Sequence, residues 1–364
     1  MNDRSTGRHA DVPPSLRLWD GRQRGMLLHD EHGAVAVVIA VSLLALVSLA
    51  ALVVDLGFAL ASRQHLQNLA DAAALAGAGQ LGRLYENPSG AAPAAPSPAG
   101  RARVRAVVSE VAATNRAATK LTGVTVADLR LGRWNPVTRT VVPASAGPDA
   151  VLVRAQGFMP TFLAGVVGIR QLSLSATASA ALTAMAEATP GALALPAGIS
   201  SAWMAQGPIE GRRLRLYAPN GGDPCAGWST FTDAPPTIGR LQSIVQGLTR
   251  RAYTSPAALV GRTRFQFVAG NPAAIAPDLM ALYNARKNPA TGQWTTTIAV
   301  YRQAQCAVPA GAVALAGFAT AAITAVPTPD GPALDAVMRT GFIQRGRGGG
   351  PDYGTNGSIP ALVQ

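Results

Sequence analysis

Histidine, the side chain that serves most often as a catalytic base or zinc ligand, occurs only near the start of the chain. Its four copies are His9, His29, His32 and His65. The chain beyond His65 therefore contains no Ser-His or Cys-His nucleophile pair and no histidine-ligated zinc site. The two lysines, Lys120 and Lys287, lie outside any glycine loop of the phosphate-binding type. No cofactor and no metal site is predicted.

Paired carboxylates could still hydrolyse a glycoside, a reaction that needs an acid and a second carboxylate on either side of the bond. The nominal candidates are Glu210, Asp223, Asp233 and Asp278. Nothing in their spacing brings two of them together. We therefore predict that the protein is not an enzyme.

The two cysteines, Cys225 and Cys306, form an even pair without a metal-binding or redox-motif spacing. In an oxidising compartment they are expected to form a disulfide. Such a bond closes a loop of roughly 80 residues and contributes about 4 kcal/mol through the entropy of the unfolded chain. Two separate buried thiols are the alternative.

The net charge of +12 comes almost entirely from arginine. The arginines are scattered singly or in pairs such as Arg212-Arg213, without a dense basic arm, so a nucleic-acid partner is not predicted. A basic domain could instead hold an acidic envelope polymer or glycan. That binding role is the alternative function.

An apolar run begins at Ala34 and continues to Val54 with 21 consecutive uncharged residues. As a helix it is about 30 Å long, which matches the hydrocarbon core of a bilayer. The run is longer than the apolar region of an ordinary secretion signal and favours a retained membrane anchor. A removable signal cut at Ala59-Leu60-Ala61 is the alternative.

Basic residues are concentrated before the apolar run. Those preceding it are Arg4, Arg8, Arg17, Arg22 and Arg24. Only Arg63 lies within the twenty residues after it. The positive-inside bias therefore places the N-terminus in the cytoplasm and everything after about residue 62 outside it.

The helix is expected to continue beyond the membrane, because the segment 62–86 lacks proline and is rich in Ala, Leu and Gln. Its apolar residues, Leu66, Leu69, Ala73 and Leu75-Ala76, recur at three- and four-residue intervals. This stripe needs a partner, which is either the chain's own domain or another subunit. Asp55 either ends the span in water or bonds to a neighbouring helix.

Two blocks flank and follow the apolar run in a specific order: Gly33 to Val37 with Val54-Asp55-Leu56-Gly57, and "SRQHLQNLADAAALAGA" from Ser62 to Ala78. This part of the chain resembles the TadG-like Flp (tight adherence) pilus-assembly proteins, which have a pilin-like N-terminal membrane helix. The residues that carry the helix motif are Asp55, Gly57, Arg63, Leu66, Asn68, Ala70, Asp71, Ala72, Ala73, Ala74, Leu75, Ala76 and Gly77.

The resemblance also raises the question of prepilin-type processing between Gly33 and Ala34. Processed relatives usually have Glu at the fifth position after the cut, where this chain has Val38. A buried carboxylate at that depth would need a charged partner. Its absence argues against a major pilin subunit and favours an uncut anchor.

The chain is expected to have the α+β fold class, with a long N-terminal transmembrane, pilin-like helix followed by extracytoplasmic α+β domains rich in antiparallel strands. The predicted segments are a cytoplasmic leader 1–33, a transmembrane helix 34–61, its continuation 62–86, a Pro/Ala linker 87–100, a pilin-like domain 101–188, a disulfide-containing module 189–344 and a flexible tail 345–364. Asn135-Pro136 is expected to initiate the turn of a hairpin.

These observations predict a non-enzymatic, single-pass component of Flp pilus assembly in the bacterial inner membrane, with its C-terminal part in the periplasm. As the resemblance implies, its partners would be the lipid bilayer, other pilin-like Tad subunits and the membrane platform of the pilus. Small residues along the helix would let other helices approach closely in lipid.

Overall fold

A computed structural model describes residues 31–86, 96–116, 121–144 and 147–363 of the chain. Most of the predicted leader, with the five arginines that set the predicted orientation, lies outside the described residues, and so do positions 87–95 of the predicted linker. The chain divides into two compact units, with the boundary between Leu52 and Val53.

In the residues that the structure describes, the α-helices are α1 (Glu31–Tyr85), α2 (Pro98–Arg116), α3 (Ser201–Met204), α4 (Ile238–Thr249) and α5 (Ala276–Arg286). Short 3-10 helices span Ala164–Val167 and Ala273–Ile275. The strands are β1 (Thr122–Asn135), β2 (Thr140–Pro143), β3 (Ala150–Pro160), β4 (Gln171–Ala181), β5 (Met185–Ala188), β6 (Ala197–Ser200), β7 (Arg213–Tyr217), β8 (Ala226–Trp228), β9 (Ala258–Leu259), β10 (Arg264–Phe267), β11 (Trp294–Tyr301), β12 (Gly311–Thr328), β13 (Gly331–Arg339), β14 (Phe342–Gly348), β15 (Thr355–Ile359) and β16 (Ala361–Val363). The predicted α+β class with a long N-terminal helix is confirmed.

The first unit contains the start of α1, up to Leu52. Its large apolar side chains are exposed, from Ile39 at 54% to Leu44 at 69%. Among the described residues, α1 is the one helix that is long and apolar enough, by length and composition, to cross a membrane. Its 55 described residues, Glu31–Tyr85, include three residues before the expected start at residue 34.

The second unit begins at Val53, and its described residues form three sheets. The first is antiparallel, with the order β16-β4-β3-β1-β2. The hairpin of β1 and β2 forms as predicted, because the Asn135 side chain accepts hydrogen bonds from the N–H groups of Val137 and Thr138. One face of this sheet packs against α1 and α2 around a core that includes Leu66, Val108 and Val153.

A second core lies farther along the chain. Its sheet has the order β7-β13-β12-β11-β6-β8, with β10 paired to β12, and helices α4 and α5 contribute buried residues such as Leu241 and Leu282. The third sheet, β15-β14-β5-β9, joins the end of the chain to residues 185–188 and 258–259. The division into modules at residue 188 stays a prediction.

The predicted flexible tail from residue 345 is wrong, because β14, β15 and β16 occupy most of this segment. Its glycines allow close backbone packing rather than motion. A Cβ at Gly346 would lie 2.1 Å from the Glu187 carbonyl oxygen, and one at Gly357 would lie 2.6 Å from the Gly346 carbonyl oxygen. Glycine is the residue that permits such approaches. The final strand, β16, then pairs with β4.

The predicted linker also extends too far, since α2 begins inside it at Pro98. The Ser97 hydroxyl accepts a hydrogen bond from the N–H of Gly100 at 3.1 Å, which caps the helix. Proline at the first helical position lacks the N–H that would remain unpaired there. This helix start was not predicted, because small residues and prolines are also typical of linkers.

Candidate functional site

The four candidate carboxylates have separate sets of partners. Glu210 accepts hydrogen bonds from Thr340 and Arg339, Asp223 accepts one from the N–H of Cys225, and Asp278 accepts from two glutamine side chains of α4. Asp233 lies in the turn that follows Thr230. Within the described part of the chain, no group of three or more His, Cys, Asp or Glu side chains could hold a metal ion.

Glu210 lies just before β7 and bonds to Arg339 and Thr340 at the end of β13. Partial burial alone would raise its pKa, but the hydroxyl and N–H of Thr340 and the side chain of Arg339 donate hydrogen bonds that lower the pKa below its ordinary value. Hydrogen bonds to the charged form have this effect because they stabilise the carboxylate. The contacts give Glu210 a structural role.

Cys225 and Cys306 form a disulfide, as predicted. The carbonyl of Cys225 also accepts a hydrogen bond from the buried Tyr301 hydroxyl at 2.8 Å, which attaches this loop to β11. The bond therefore joins two segments that are 81 residues apart around the second core.

The helix motif has one buried face in the second unit. Its members follow three- and four-residue steps along α1: Ser62, Leu66, Leu69, Ala70, Ala73, Ala74, Gly77, Ala78, Leu81, Gly82 and Tyr85. The predicted stripe is right at Leu66, Leu69 and Ala73, but Leu75 and Ala76 are only half-buried. Of the two partners considered from sequence, the chain's own α2 and first sheet cover this face.

Gly77 lies on α1 directly against Val108 of α2. A Cβ there would lie 2.7 Å from Val108 Cγ2 and 3.1 Å from Val151 Cγ1. Real Cβ atoms do not come this close to a neighbour, so glycine is required for the two helices and β3 to approach as they do. Five motif residues are buried on this face: Leu66, Ala70, Ala73, Ala74 and Gly77.

The other motif residues lie on the remaining faces of α1. Asp71 and Ala72 are half-buried, and the exposed residues are Gly57, Arg63 and Asn68. Asn68 accepts a hydrogen bond from Gln64, and Asp71 accepts one from Gln67, each one helical turn away. Gln67 also donates to the carbonyl of Thr177, which ties α1 to β4.

The suggested processing positions lie within α1. Gly33 is exposed, Ala34 follows it in the helix, and the side chain of Val38 is 63% exposed. That the bond between Gly33 and Ala34 stays uncut remains a prediction.

Asp55 is the motif residue that bonds to the connection between β3 and β4. Its carboxylate accepts hydrogen bonds from the N–H groups of Phe162, Leu163 and Ala164, at 2.8, 3.1 and 2.7 Å. These donors precede and begin the 3-10 helix in the connection between β3 and β4, where N–H groups have no partner within the helix. Only 5% of Asp55 is exposed. Within the chain, Asp55 therefore bonds to backbone groups that neither sequence-based expectation had named.

An aromatic contact strengthens the same junction. The rings of Phe58 and Phe162 meet edge to face with centroids 5.2 Å apart. Gly168 closes the 3-10 helix in the left-handed conformation, with φ of 89°, and the Thr161 hydroxyl donates to the carbonyl of Ile169. Sequence reasoning missed this partner of Asp55, because backbone N–H groups carry no signal in side-chain identity.

A groove near the end of α1 contains two arginines, Arg83 and Arg345, which are the features that an acidic ligand would need. Glu86 lines the same groove and accepts a hydrogen bond from the Ser358 hydroxyl. The acid offsets part of the positive charge. The groove therefore gives no separate support to binding of an acidic polymer.

A family model for TadE/G-like Flp pilus-assembly proteins, named Tad, matches residues 33–80. The match is confined to α1 and includes both the exposed apolar half and the buried face. Comparisons with curated proteins and with solved structures found no match. The resemblance inferred from sequence is thus confirmed for residues 33–80 of the N-terminal helix.

Proposed function

We propose that the protein is a non-enzymatic, single-pass membrane component of Flp pilus assembly. The observation that carries the proposal is the match of residues 33–80 to the TadE/G-like family. The matched helix exposes its apolar residues up to Val54 and buries a regular face after Ser62. A helix with these two halves suits a protein whose first half lies in lipid and whose second half holds a folded domain.

The contacts of the second unit support a retained anchor over a removable signal. A cut after Ala61 would remove Asp55, which bonds to three N–H groups, and Phe58, which contacts Phe162. Buried or partly buried N–H groups left without an acceptor are costly. A cut after Ala61 would therefore leave the β3–β4 connection without both of these contacts.

The disulfide supports an extracytoplasmic location for the domain, because such bonds persist in oxidising compartments. In the arrangement we propose, the N-terminus is in the cytoplasm, α1 crosses the inner membrane, and the residues after about 62 lie in the periplasm. The arginine bias at the N-terminus supports the same orientation.

Partners would bind through the exposed apolar part of α1, since the later face is occupied by the chain's own domain. Association of helices in lipid depends on close packing rather than on hydrophobicity, and small residues permit it. The small residues there are Ala36, Ala40, Ala45, Ala50, Ala51 and Gly57. The proposed partners are other pilin-like Tad subunits and the membrane platform of the pilus.

The first test is deletion of the gene, followed by electron microscopy of pili and complementation with the full chain. Loss of pili, restored by the full chain, is expected. The intact mass of the membrane-extracted protein then distinguishes an uncut anchor from chains cut after Gly33 or after Ala61. A wild-type number of pili in the deletion strain would contradict the proposal.

A second test compares two neighbouring substitutions in the exposed apolar segment, Ala40→Ile and Val41→Ile. Both keep the segment apolar, but only Ala40→Ile adds bulk at a small residue. We expect Ala40→Ile to reduce co-purification with pilin-like subunits and Val41→Ile to leave it unchanged. If both variants co-purified with these subunits as well as the unaltered protein does, close helix packing at this position would be excluded.

A further inference from the structure

The connection between β3 and β4 carries apolar side chains that the domain does not cover. Phe162 is 64% exposed, Ile169 is 48% exposed and Leu163 is 38% exposed. These three residues lie within eight positions of the chain, and we refer to them as the patch. Exposed apolar patches are a feature of surfaces that bind a partner or a membrane.

The position of this patch along α1 is set by Asp55. The carboxylate holds the N–H groups of residues 162–164, and Phe58 contacts Phe162 three residues farther along the helix. Three residues of helix rise about 4.5 Å. The patch therefore lies beside the part of α1 that directly follows the uncharged run ending at Val54.

The same part of α1 has its own exposed apolar residues, Val54 at 51%, Leu56 at 55% and Leu60 at 60%. Exposed arginines follow both segments in the chain, Arg63 after Leu60 and Arg170 after Ile169. Apolar residues bordered by arginine are typical of segments that lie in the interfacial region of a bilayer, about 5–10 Å deep. The charge of Asp55 is tolerated there because three donors surround it.

We propose that residues 161–170 insert into the headgroup region of the outer leaflet and fix the domain against the membrane surface. The partner is the lipid bilayer itself, because Asp55 and Phe58 hold the patch against the part of α1 that directly follows the apolar run. This inference rests on the proposed membrane span of α1. It adds a second lipid contact, made by the folded domain, and Asp55 is the residue that positions it.

The test uses single cysteines in the full chain reconstituted in lipid vesicles. Cysteine replaces Phe162 in one variant and Ile169 in another, and Val137 in the control. Val137 is 90% exposed and lies at the β1–β2 turn, at the opposite end of the first sheet from the β3–β4 connection. The native cysteines are joined in a disulfide and do not react with a maleimide dye under non-reducing conditions.

An environment-sensitive dye at positions 162 and 169 should emit at a shorter wavelength than the same dye in water. Its intensity should fall when lipids with a nitroxide near the headgroup are included. The dye at position 137 should show neither change. Identical behaviour at all three positions would overturn the inference. So would a shorter wavelength without lipid quenching, combined with photo-crosslinking of position 162 to a second copy, because the patch would then be a protein contact.

Carbonate extraction of the same vesicles separates this inference from the proposed function. If the chain stays with the membrane while the dyes at 162 and 169 remain unquenched, the anchor stands and only the surface contact is refuted. If the chain is extracted, the membrane span itself is refuted. Asp55→Ala provides a further check, since it should reduce quenching at 162 while the chain remains resistant to extraction.

Discussion

The Cβ position of Gly77 on α1 lies 2.7 Å from Val108 Cγ2 on α2. Gly79, two residues later, faces only Pro360, with ordinary contacts of 3.8 and 3.9 Å. The two glycines belong to the same helix and the same matched segment, yet only one of them is required by packing. This contrast supplies a matched pair of variants.

We expect Gly77→Ala to destabilise the domain by about 1–3 kcal/mol through overpacking, reduced by the higher helix propensity of alanine. Gly79→Ala should be neutral or stabilising by up to about 1 kcal/mol, since it gains propensity without a clash. Thermal unfolding of the full chain in detergent measures both. Equal melting temperatures for the two variants would show that α1 and α2 do not pack as described.

Gly82 tests the docking of the chain's last strands on α1. A Cβ there would lie 2.1 Å from the Ser358 carbonyl oxygen, a backbone atom that cannot rotate away. Gly82→Ala should therefore displace β15 and β16 and expose the end of the chain to protease. Limited proteolysis with mass spectrometry checks this, with Gly79→Ala as the control. Unchanged protection of residues 355–363 would contradict the docking.

Removal of the disulfide in the double variant Cys225→Ser/Cys306→Ser should lower the free energy of unfolding by about 4 kcal/mol, because the unfolded chain regains the freedom of a long loop. Denaturant unfolding followed by tryptophan fluorescence is suitable, since Trp203, Trp228 and Trp294 are all buried in the second core. Addition of a reductant should destabilise the unaltered protein and leave the double variant unchanged. A reductant effect on the double variant would indicate a different cause.

Asp55→Ala should accelerate amide hydrogen exchange at residues 162–164 without unfolding the domain, because the carboxylate accepts only those three bonds in a peripheral connection. Asp71→Ala is the control, since Asp71 accepts a bond from Gln67 on its own helix. Exchange measured by mass spectrometry on peptides covering β3 and β4 distinguishes the two. Acceleration by both variants would point to general loosening of α1.

The hydrogen bonds of Glu210 predict that the stability of the folded protein depends on pH. Hydrogen bonds from Thr340 and Arg339 outweigh the opposing effect of partial burial and lower its pKa below the ordinary value of 4.5. Its contribution to stability is therefore complete above about pH 4.5 and is lost as the pH falls through the lower pKa of the folded state. Glu210→Gln should reduce the melting temperature at pH 7, and the difference from the unaltered protein should shrink at pH 3. A difference that stays constant would exclude this linkage.

Local patterns in the sequence were sufficient for two features. The uncharged run and the segment after it predicted the long helix α1, and Asn135-Pro136 predicted the hairpin of β1 and β2. The strands after residue 340 were missed because their glycines suggest motion unless the neighbouring backbone is known. The N-terminal part of α2 was missed for a related reason, since its first turn contains the residues that linkers also favour.

The sequence by itself determined the long apolar helix, its Tad-like motif, the disulfide and the absence of histidine chemistry beyond residue 65. Each of these depends on residue identity or on periodicity within one segment. Tertiary structure alone decided what covers the buried face of α1 and what satisfies Asp55. Gly77 meets a valine of α2, and Asp55 bonds to backbone groups 107–109 residues away. Contacts at such separations depend on how the chain returns in space, and backbone donors are the same in every residue except proline.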